Sequence, residues 1–92
     1  MDVFVDETHQ SAHHDFVRWI ERNYDNGYVL NPHSSRGPMI HRAYCGHFKH
    51  GNPSHSMTRT RKICFRDRRA YENWAHDNRA YAQEVRPCPD CG

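Results

Sequence analysis

Four residues in the middle and at the end of the chain have the types and the spacing of a metal site. His41 and Cys45 are four residues apart, and Cys88 and Cys91 form a Cys-Pro-Asp-Cys turn. Such a turn presents two thiolates on one side of a tight loop, as tetrahedral zinc requires. Residues four apart share a face on a helix and also on a strand, so His41 and Cys45 can reach the same ion. The sequence therefore predicts a closed structural zinc site with one nitrogen and three sulfur ligands.

Several alternatives to this ligand set stay open. Cys64 could take the place of His41 and give a four-sulfur site, and His47, two residues past Cys45, is another candidate for the fourth ligand. In an exported protein the four cysteines could instead form two disulfides. The chain begins with an acidic segment and has no basic leader, which favours zinc and an intracellular, cytoplasmic location.

The composition independently favours a metal. The chain has 92 residues, of which 36% are hydrophobic, and its mean hydropathy is −1.10. A single domain of this length buries only roughly two thirds of its unfolded surface and usually needs a disulfide or a structural metal. No apolar run approaches the ~20 residues of a membrane span. We therefore expect one soluble zinc-binding domain over residues 1–92 and no membrane association.

The charge is nearly balanced overall but unevenly distributed. The formal net charge is +2, yet the first 25 residues carry six acidic side chains against two arginines. Arginine favours planar, bidentate contact with phosphate or carboxylate. A solvated basic face that pairs with the acidic segment is the simplest alternative. The hypothesis of a DNA or RNA partner depends on a basic group near residues 59–69 and one outlier beside the metal motif: Arg59, Arg61, Lys62, Arg66, Arg68, Arg69 and Arg42.

The hydrophobic pattern predicts an α+β fold: a helix, a short three-stranded antiparallel sheet, a second helix and the terminal zinc turn. In chain order we expect a loose lead-in over residues 1–10, a helix over 11–24, strands over 27–31, 39–45 and 58–65, loops over 32–38 and 46–58, and a helix over 67–83.

Alternation along the second strand places both His41 and Cys45 on its inner face. Asp67 is the expected N-cap of the second helix. Tyr71 and Trp74 follow the helical period in that helix, and we expect them to belong to the core, with base stacking as the alternative. In the first helix Phe16, Ile20 and Tyr24 recur every four residues, with Val17 beside them, and form an apolar stripe. Trp19 lies near this stripe and is expected to be half-buried packing.

The tail Arg-Pro-Cys-Pro-Asp-Cys over residues 86–91, together with the His-x3-Cys motif and the helix between them, resembles the metal-binding domain of Ada-type DNA methylphosphotriester repair proteins. The resemblance covers roughly residues 27–92. It implies metal binding at Cys45, Cys88 and Cys91, and contact with the DNA backbone. His41 stands where that family has the cysteine that accepts the methyl group. Because an imidazole cannot replace a thiolate in sulfur-centred methyl transfer, the resemblance does not extend to the repair reaction.

Enzymatic function is not expected. The Pro-Cys-x-x-Cys motif also occurs in zinc deaminases, but the glutamate of their His-x-Glu motif is missing, since Ala43 follows His41-Arg42. A closed four-ligand zinc also leaves no position for a reacting water. The sequence thus favours a non-catalytic zinc module that binds nucleic acid, mainly through backbone phosphate. A protein-interaction or regulatory module is the alternative, and a zinc enzyme acting on nucleic acid is a third.

Overall fold

In a computed structural model of the chain, residues 1–6, 11–49 and 57–91 are described, without the side chains of His47 and Lys49. None of the helices in these ranges combines the length and the apolar character needed to cross a membrane. In chain order the elements are β1 (Asp2–Phe4), α1 (Ala12–Arg22), β2 (Tyr28–Asn31), β3 (Met39–Arg42), α2 (Gly46–Lys49), β4 (Lys62–Phe65), α3 (Arg68–Asp77), α4 (Arg79–Ala82) and β5 (Arg86–Pro87).

The strands form one mixed sheet in the order β1-β4-β2-β3-β5. Strand β2 pairs antiparallel with both β3 and β4, and Val29 lies opposite His41 on one side and Cys64 on the other. Strand β5 pairs with β3 in parallel, with Ile40 opposite Pro87. The α+β class is therefore confirmed, and the central three strands are the expected ones.

The expectation of three strands and a loose lead-in was wrong, because both ends of the chain add a strand to the sheet. Asp2 lies opposite Cys64, and its carboxylate accepts a hydrogen bond from the Trp19 indole at 3.1 Å. Strand β1 has three residues, which is too short for a periodic hydrophobic signal in the sequence. The two-residue strand β5 escapes detection for the same reason. Residues 7–10 of the expected lead-in lie outside the described ranges.

Other boundaries also differ from the prediction. The strands expected over 39–45 and 58–65 are shorter and span Met39–Arg42 and Lys62–Phe65. The expected loop over residues 46–58 begins with the single turn α2, and residues 50–56 of it lie outside the described ranges. The second helix is interrupted at Asn78, which separates α3 from α4. The Asn78 side-chain amide donates to the carbonyl oxygen of Trp74 at 2.8 Å. An asparagine that bonds a helical carbonyl in this way competes with the backbone and favours a helix end.

One face of the sheet packs against α1. Val29, His41 and Cys64 share this face because they are register partners. Helix α1 covers it with Phe16 and Ile20, both buried. Trp19 is 7% exposed and belongs to this core, so it is more deeply buried than expected. The predicted stripe of α1 is thus confirmed except at Tyr24, which follows the end of the helix and is exposed.

The opposite face of the sheet packs against α3. Tyr28 and Phe65 are register partners and therefore share this face. The Phe65 ring, which is buried, contacts Tyr71 and Trp74 at centroid distances of 5.3 and 5.5 Å. Helix α3 nevertheless contributes no fully buried residue, since Tyr71 and Trp74 remain half-buried. The expectation that its aromatic rings form the core is therefore only partly met.

Candidate metal centre

The parallel pairing of β5 with β3 brings the two halves of the metal motif together. The backbone amides of Arg86 and Cys88 donate to the carbonyl oxygens of Pro38 and Ile40 at 3.0 and 2.9 Å. The ladder ends just before His41, whose side chain lies on the face of the sheet that packs against α1. Cys88 follows the last paired residue of β5 and therefore lies beside His41. The backbone amide of Arg42 donates to the Cys91 sulfur at 3.4 Å and holds the end of the Cys-x-x-Cys turn.

Cys45 is positioned by a separate turn directly after β3. Its backbone amide donates to the carbonyl oxygen of Arg42 at 3.0 Å, and its own carbonyl accepts from the Phe48 amide, also at 3.0 Å. The second of these bonds belongs to the turn of α2. The turn reverses the chain so that the Cys45 thiol faces back towards His41. Helix α2, which the sequence did not predict, therefore helps to place one member of the site.

The four candidate ligand atoms lie close enough together to bind one metal ion. The Cys45 sulfur lies 3.6 Å from Nδ1 of His41 and 3.9 Å from the Cys88 sulfur. The Cys91 sulfur lies 4.0 Å from the same Nδ1, and all four atoms fall within 4.8 Å of one another. Zinc bond lengths in tetrahedral geometry place two sulfurs about 3.8 Å apart, and a sulfur and a nitrogen about 3.6 Å apart. The cluster can therefore hold a metal ion.

The cluster is largely shielded from solvent. His41, Cys45 and Cys88 are buried, and Cys91 is partly exposed. The ring of Phe48 meets the imidazole edge-on at a centroid distance of 5.2 Å, and Met39 packs against the two buried thiols. Packing of this kind restricts the orientation of the ligand side chains.

The thiols of Cys45, Cys88 and Cys91 lie so close together that a bound cation would stabilise their deprotonated forms. Burial, with the neighbouring thiols of Cys45 and Cys88, raises the pKa of Cys91 to about 12, while the Arg42 amide acts in the opposite direction. Thiolates this close together repel one another and are poorly solvated. A bound divalent metal removes this penalty because a coordinating thiol is deprotonated outright.

Cys64 lies outside the cluster, although the sequence left it open as a ligand. It is fully buried in the core with Phe16 and Val29, and burial raises the pKa of its thiol. Strand β2 lies between Cys64 and His41, which puts them roughly 9–10 Å apart across two strand spacings. The thiols of Cys45, Cys88 and Cys91 lie around His41, so Cys64 is also too far away to replace His41 as the fourth ligand of an ion bound there. The side chain of His47, the other alternate, lies outside the described part of the chain.

The cysteines are free thiols, and the described geometry contains no disulfide. Cys45 and Cys88 are nearest to a bonded pair, but their sulfurs are 3.9 Å apart, against ~2.05 Å for a disulfide. The alternative of two disulfides that used all four cysteines would also require Cys64, which is buried on the other side of β2.

The basic residues fall into three groups. Five of the seven candidates are exposed and flank β4 or begin α3: Arg59, Arg61, Arg66, Arg68 and Arg69. Arg68 already pairs with Glu72 at 2.8 Å within its helix. Lys62 is buried, and its amine donates to the hydroxyl and the carbonyl oxygen of Thr60 at 2.8 and 3.2 Å. It is thus poorly placed to contact a ligand. Arg42 is half-buried and lies on β3, whereas the other six lie in or near β4 and at the start of α3.

Sequence reasoning missed the surroundings of Arg42. Its guanidinium lies over the rings of Tyr28 and Tyr44, at 4.5 and 5.1 Å from the two centroids. Alternation would have placed Arg42 and Tyr44 on one face of a strand, but Tyr28 is brought to them by the pairing of β2 with β3. The three side chains line a cavity of about 260 Å³ that also reaches Cys91.

Comparisons of the chain with models of known protein families, with curated proteins and with solved structures give no match.

Proposed function

We propose that the chain is a non-catalytic zinc-binding module that binds nucleic acid, chiefly through backbone phosphate. Zinc is the metal best suited to one imidazole and three thiolates in tetrahedral array. The observation that carries the zinc assignment is the separation of the four ligand atoms, with sulfur–sulfur and sulfur–nitrogen distances of 3.9 and 3.6 Å. Four protein ligands complete the coordination of zinc, so the ion serves to hold the fold together and not to activate water.

The nucleic-acid part of the proposal is supported by the exposure of the arginines near β4. Arg59 and Arg61 precede the strand, and Arg66, Arg68 and Arg69 follow it, all with exposed side chains. Arg66 and Arg69 have no acidic partner among the described ion pairs, whereas Arg68 is paired with Glu72. Exposed guanidinium ions before and after β4 are suited to contact several phosphates along one nucleic-acid strand.

The zinc assignment is tested by metal analysis of the purified protein and two variants. We expect one zinc per chain in the wild type and loss of most of it in His41→Ala. Cys64→Ala is the matched control, because it removes a buried cysteine outside the cluster and should keep one zinc. Zinc lost equally from both variants, or retained in His41→Ala, would contradict the assignment.

The nucleic-acid assignment is tested by titrating a labelled oligonucleotide at several salt concentrations. We expect Arg66→Ala/Arg69→Ala to weaken binding at low salt and to flatten the salt dependence by up to about 0.7–0.9 in slope per lost phosphate contact. The matched control is Arg18→Ala/Arg22→Ala, which removes the same charge from exposed positions of α1. Equal weakening by both variants would mean that only net charge matters, and binding unchanged in both would reject the phosphate contacts.

A protein-interaction module is the second candidate, and half-exposed aromatic side chains on α3 favour it. Tyr71 and Trp74 could contribute to a protein interface as well as to a nucleic-acid surface. The salt titration separates the two functions. Phosphate binding weakens steeply as salt rises, whereas an interface dominated by apolar burial does not.

A further inference from the structure

All five tyrosines of the chain, with Trp74, form a row that we call the aromatic row, in which neighbouring rings are in contact except at one position that Arg42 occupies. Its members, in spatial order, are Tyr24, Tyr44, Tyr28, Tyr71, Trp74 and Tyr81. Tyr28 and Tyr71 are nearly parallel, with centroids 6.2 Å apart and planes inclined by 16°. Tyr71 and Trp74 continue at 6.1 Å and 24°, and Tyr81 meets Trp74 edge-on at 5.9 Å.

The break between Tyr44 and Tyr28 is filled by Arg42, whose guanidinium stacks on both rings. Its Nε atom is buried and has no hydrogen-bond partner among the described residues. A guanidinium in this position is attracted by the negative faces of the two rings. The row therefore combines stacking surfaces with a fixed cation at its centre.

The aromatic row lies outside the apolar core on the α1 side of the sheet, although Tyr71 and Trp74 contact the buried ring of Phe65 on the other side. The core on the α1 side takes Phe16 and Trp19, with Phe4 and Phe48 packed against it. The tyrosines instead remain partly or largely open to solvent, with exposed fractions of 45% for Tyr24, 39% for Tyr44 and 37% for Tyr81. Rings that were needed only for packing would be covered, as Phe16 and Phe65 are.

Two cavities open along the row, and each has an arginine in its wall. The cavity of about 260 Å³ contains Tyr28, Tyr44 and Arg42. The second, of about 450 Å³, contains Trp74 and Tyr81 beside Arg61. The described residues that line the two cavities include no aspartate or glutamate, although Glu84 lies close enough to Tyr81 to help burial raise its pKa. The charge along the row favours an anionic ligand that also offers flat faces.

From this arrangement we propose that the aromatic row binds single-stranded nucleic acid by stacking unpaired bases on its rings, while arginines contact the backbone. The inference rests on the proposed function and narrows its ligand from nucleic acid in general to strands with unpaired bases. Bases in a duplex are stacked on each other and hide their faces, whereas a single strand exposes them. Stacking tolerates any base sequence because every base has an aromatic face.

The first test compares two ligands on the wild-type protein with zinc bound. One is a labelled strand of about 20 nucleotides without self-complementarity, and the other is the same strand annealed to its complement. We expect the single strand to bind at least about tenfold more tightly. Equal affinity for both, or preference for the duplex, would overturn the inference.

The second test changes exposed members of the row. Tyr44→Ala should weaken binding of the single strand about fivefold or more, and so should Trp74→Ala. Tyr44→Phe and Trp74→Phe keep the rings and should bind within about twofold of the wild type. Zinc content and thermal melting establish that each variant is folded. Alanine variants that bind like their phenylalanine counterparts would reject stacking.

Tryptophan fluorescence gives an independent signal of stacking. The chain has two tryptophans, of which Trp19 is buried in the core and Trp74 lies in the row. We expect the single strand to quench wild-type fluorescence, and Trp74→Phe to bind the strand without quenching. Quenching that persists in Trp74→Phe would place the signal at Trp19 and contradict the proposal.

The outcomes separate this inference from the proposed function. Binding that depends on Arg66 and Arg69 but not on the row, and that does not prefer single strands, would leave the proposed function standing and reject the inference. Failure of both oligonucleotides to bind at about 50 mM salt would reject both.

Discussion

The backbone amide of Cys88 lies 2.9 Å from the carbonyl oxygen of Ile40. This bond joins the two halves of the site, whose members His41 and Cys88 are 47 residues apart along the chain. It fixes the register of the two-residue strand β5 against β3, with Ile40 opposite Pro87. Displacement by one residue would turn Cys88 to the other face of the sheet. The sulfur could then no longer meet His41.

Removing the metal should abolish cooperative folding. A structural zinc contributes about 10–16 kcal/mol of apparent binding free energy, which is as large as the whole stability of a typical domain. We expect the thermal melting transition seen with zinc to disappear in excess chelator and to return when zinc is restored. Circular dichroism measures this. A cooperative transition at the same temperature in chelator would contradict the role of the ion.

Gly27→Ala should destabilise the fold because the glycine lies in a closely packed turn. An added Cβ would meet the Asn23 carbonyl oxygen at 2.7 Å and the Trp19 ring at 2.9 Å, and the Gly27 carbonyl also accepts from the Ala43 amide. Relieving such contacts costs about 1–3 kcal/mol. Urea unfolding of the zinc-bound protein measures the change. Gly46→Ala is the matched control, since its Cβ meets nothing within 4 Å, and an equal loss in both variants would disprove the steric reason.

Lys62 should make stability depend on pH. Burial lowers the pKa of its amine from 10.5 to about 8, although the charges of Cys64 and Asp6 act in the opposite direction. Between about pH 8 and 10.5 the unfolded chain therefore binds a proton that the folded chain does not, so the free energy of unfolding rises with pH by up to about 1.4 kcal/mol per pH unit. Below pH 8 the cost of burying the charged amine is present in full.

Lys62→Met isolates this contribution from that of other groups that titrate in the same range. We expect the variant to be more stable than the wild type at about pH 7, and the difference to shrink as the pH approaches 10. Urea unfolding at several pH values measures the two free energies. A difference that stays constant with pH would show that the Lys62 amine keeps its ordinary pKa in the folded chain.

Asp67→Ala should weaken the start of α3. The Asp67 carboxylate accepts a hydrogen bond from the Ala70 backbone amide at 2.8 Å, as the sequence predicted for an N-cap. Loss of such a cap costs about 1 kcal/mol. Asp67→Asn can still accept the bond and should cost less. Chemical unfolding that ranks the alanine variant above the asparagine variant in stability would contradict the cap.

Local patterns were sufficient for much of the fold. The period of α1 identified Phe16 and Ile20, and alternation in β3 placed His41 on the buried side of the sheet, whereas Cys45 lies in a turn beyond the end of that strand. Asp67 marked the start of α3 by its chemistry alone. These features depend on residues within a few positions of each other, so a single segment contains the whole signal.

The strands at the sheet edges could not be found in this way. Strands β1 and β5 have three and two residues, and each is stabilised by pairing with a distant neighbour. The exclusion of Cys64 as a ligand could not be predicted from the sequence either. Its spacing from the other cysteines is compatible with a ligand, and only the position of β2 between β4 and β3 shows that it is too far from His41.

The sequence by itself determined which residues can bind a metal, because spacing of four residues and a Cys-x-x-Cys turn are local geometry. Tertiary structure decided which of them meet, and it also gathered five tyrosines from separate elements into one row around Arg42. The physical reason is that strand order and register are set by contacts across the whole chain, which no short segment encodes.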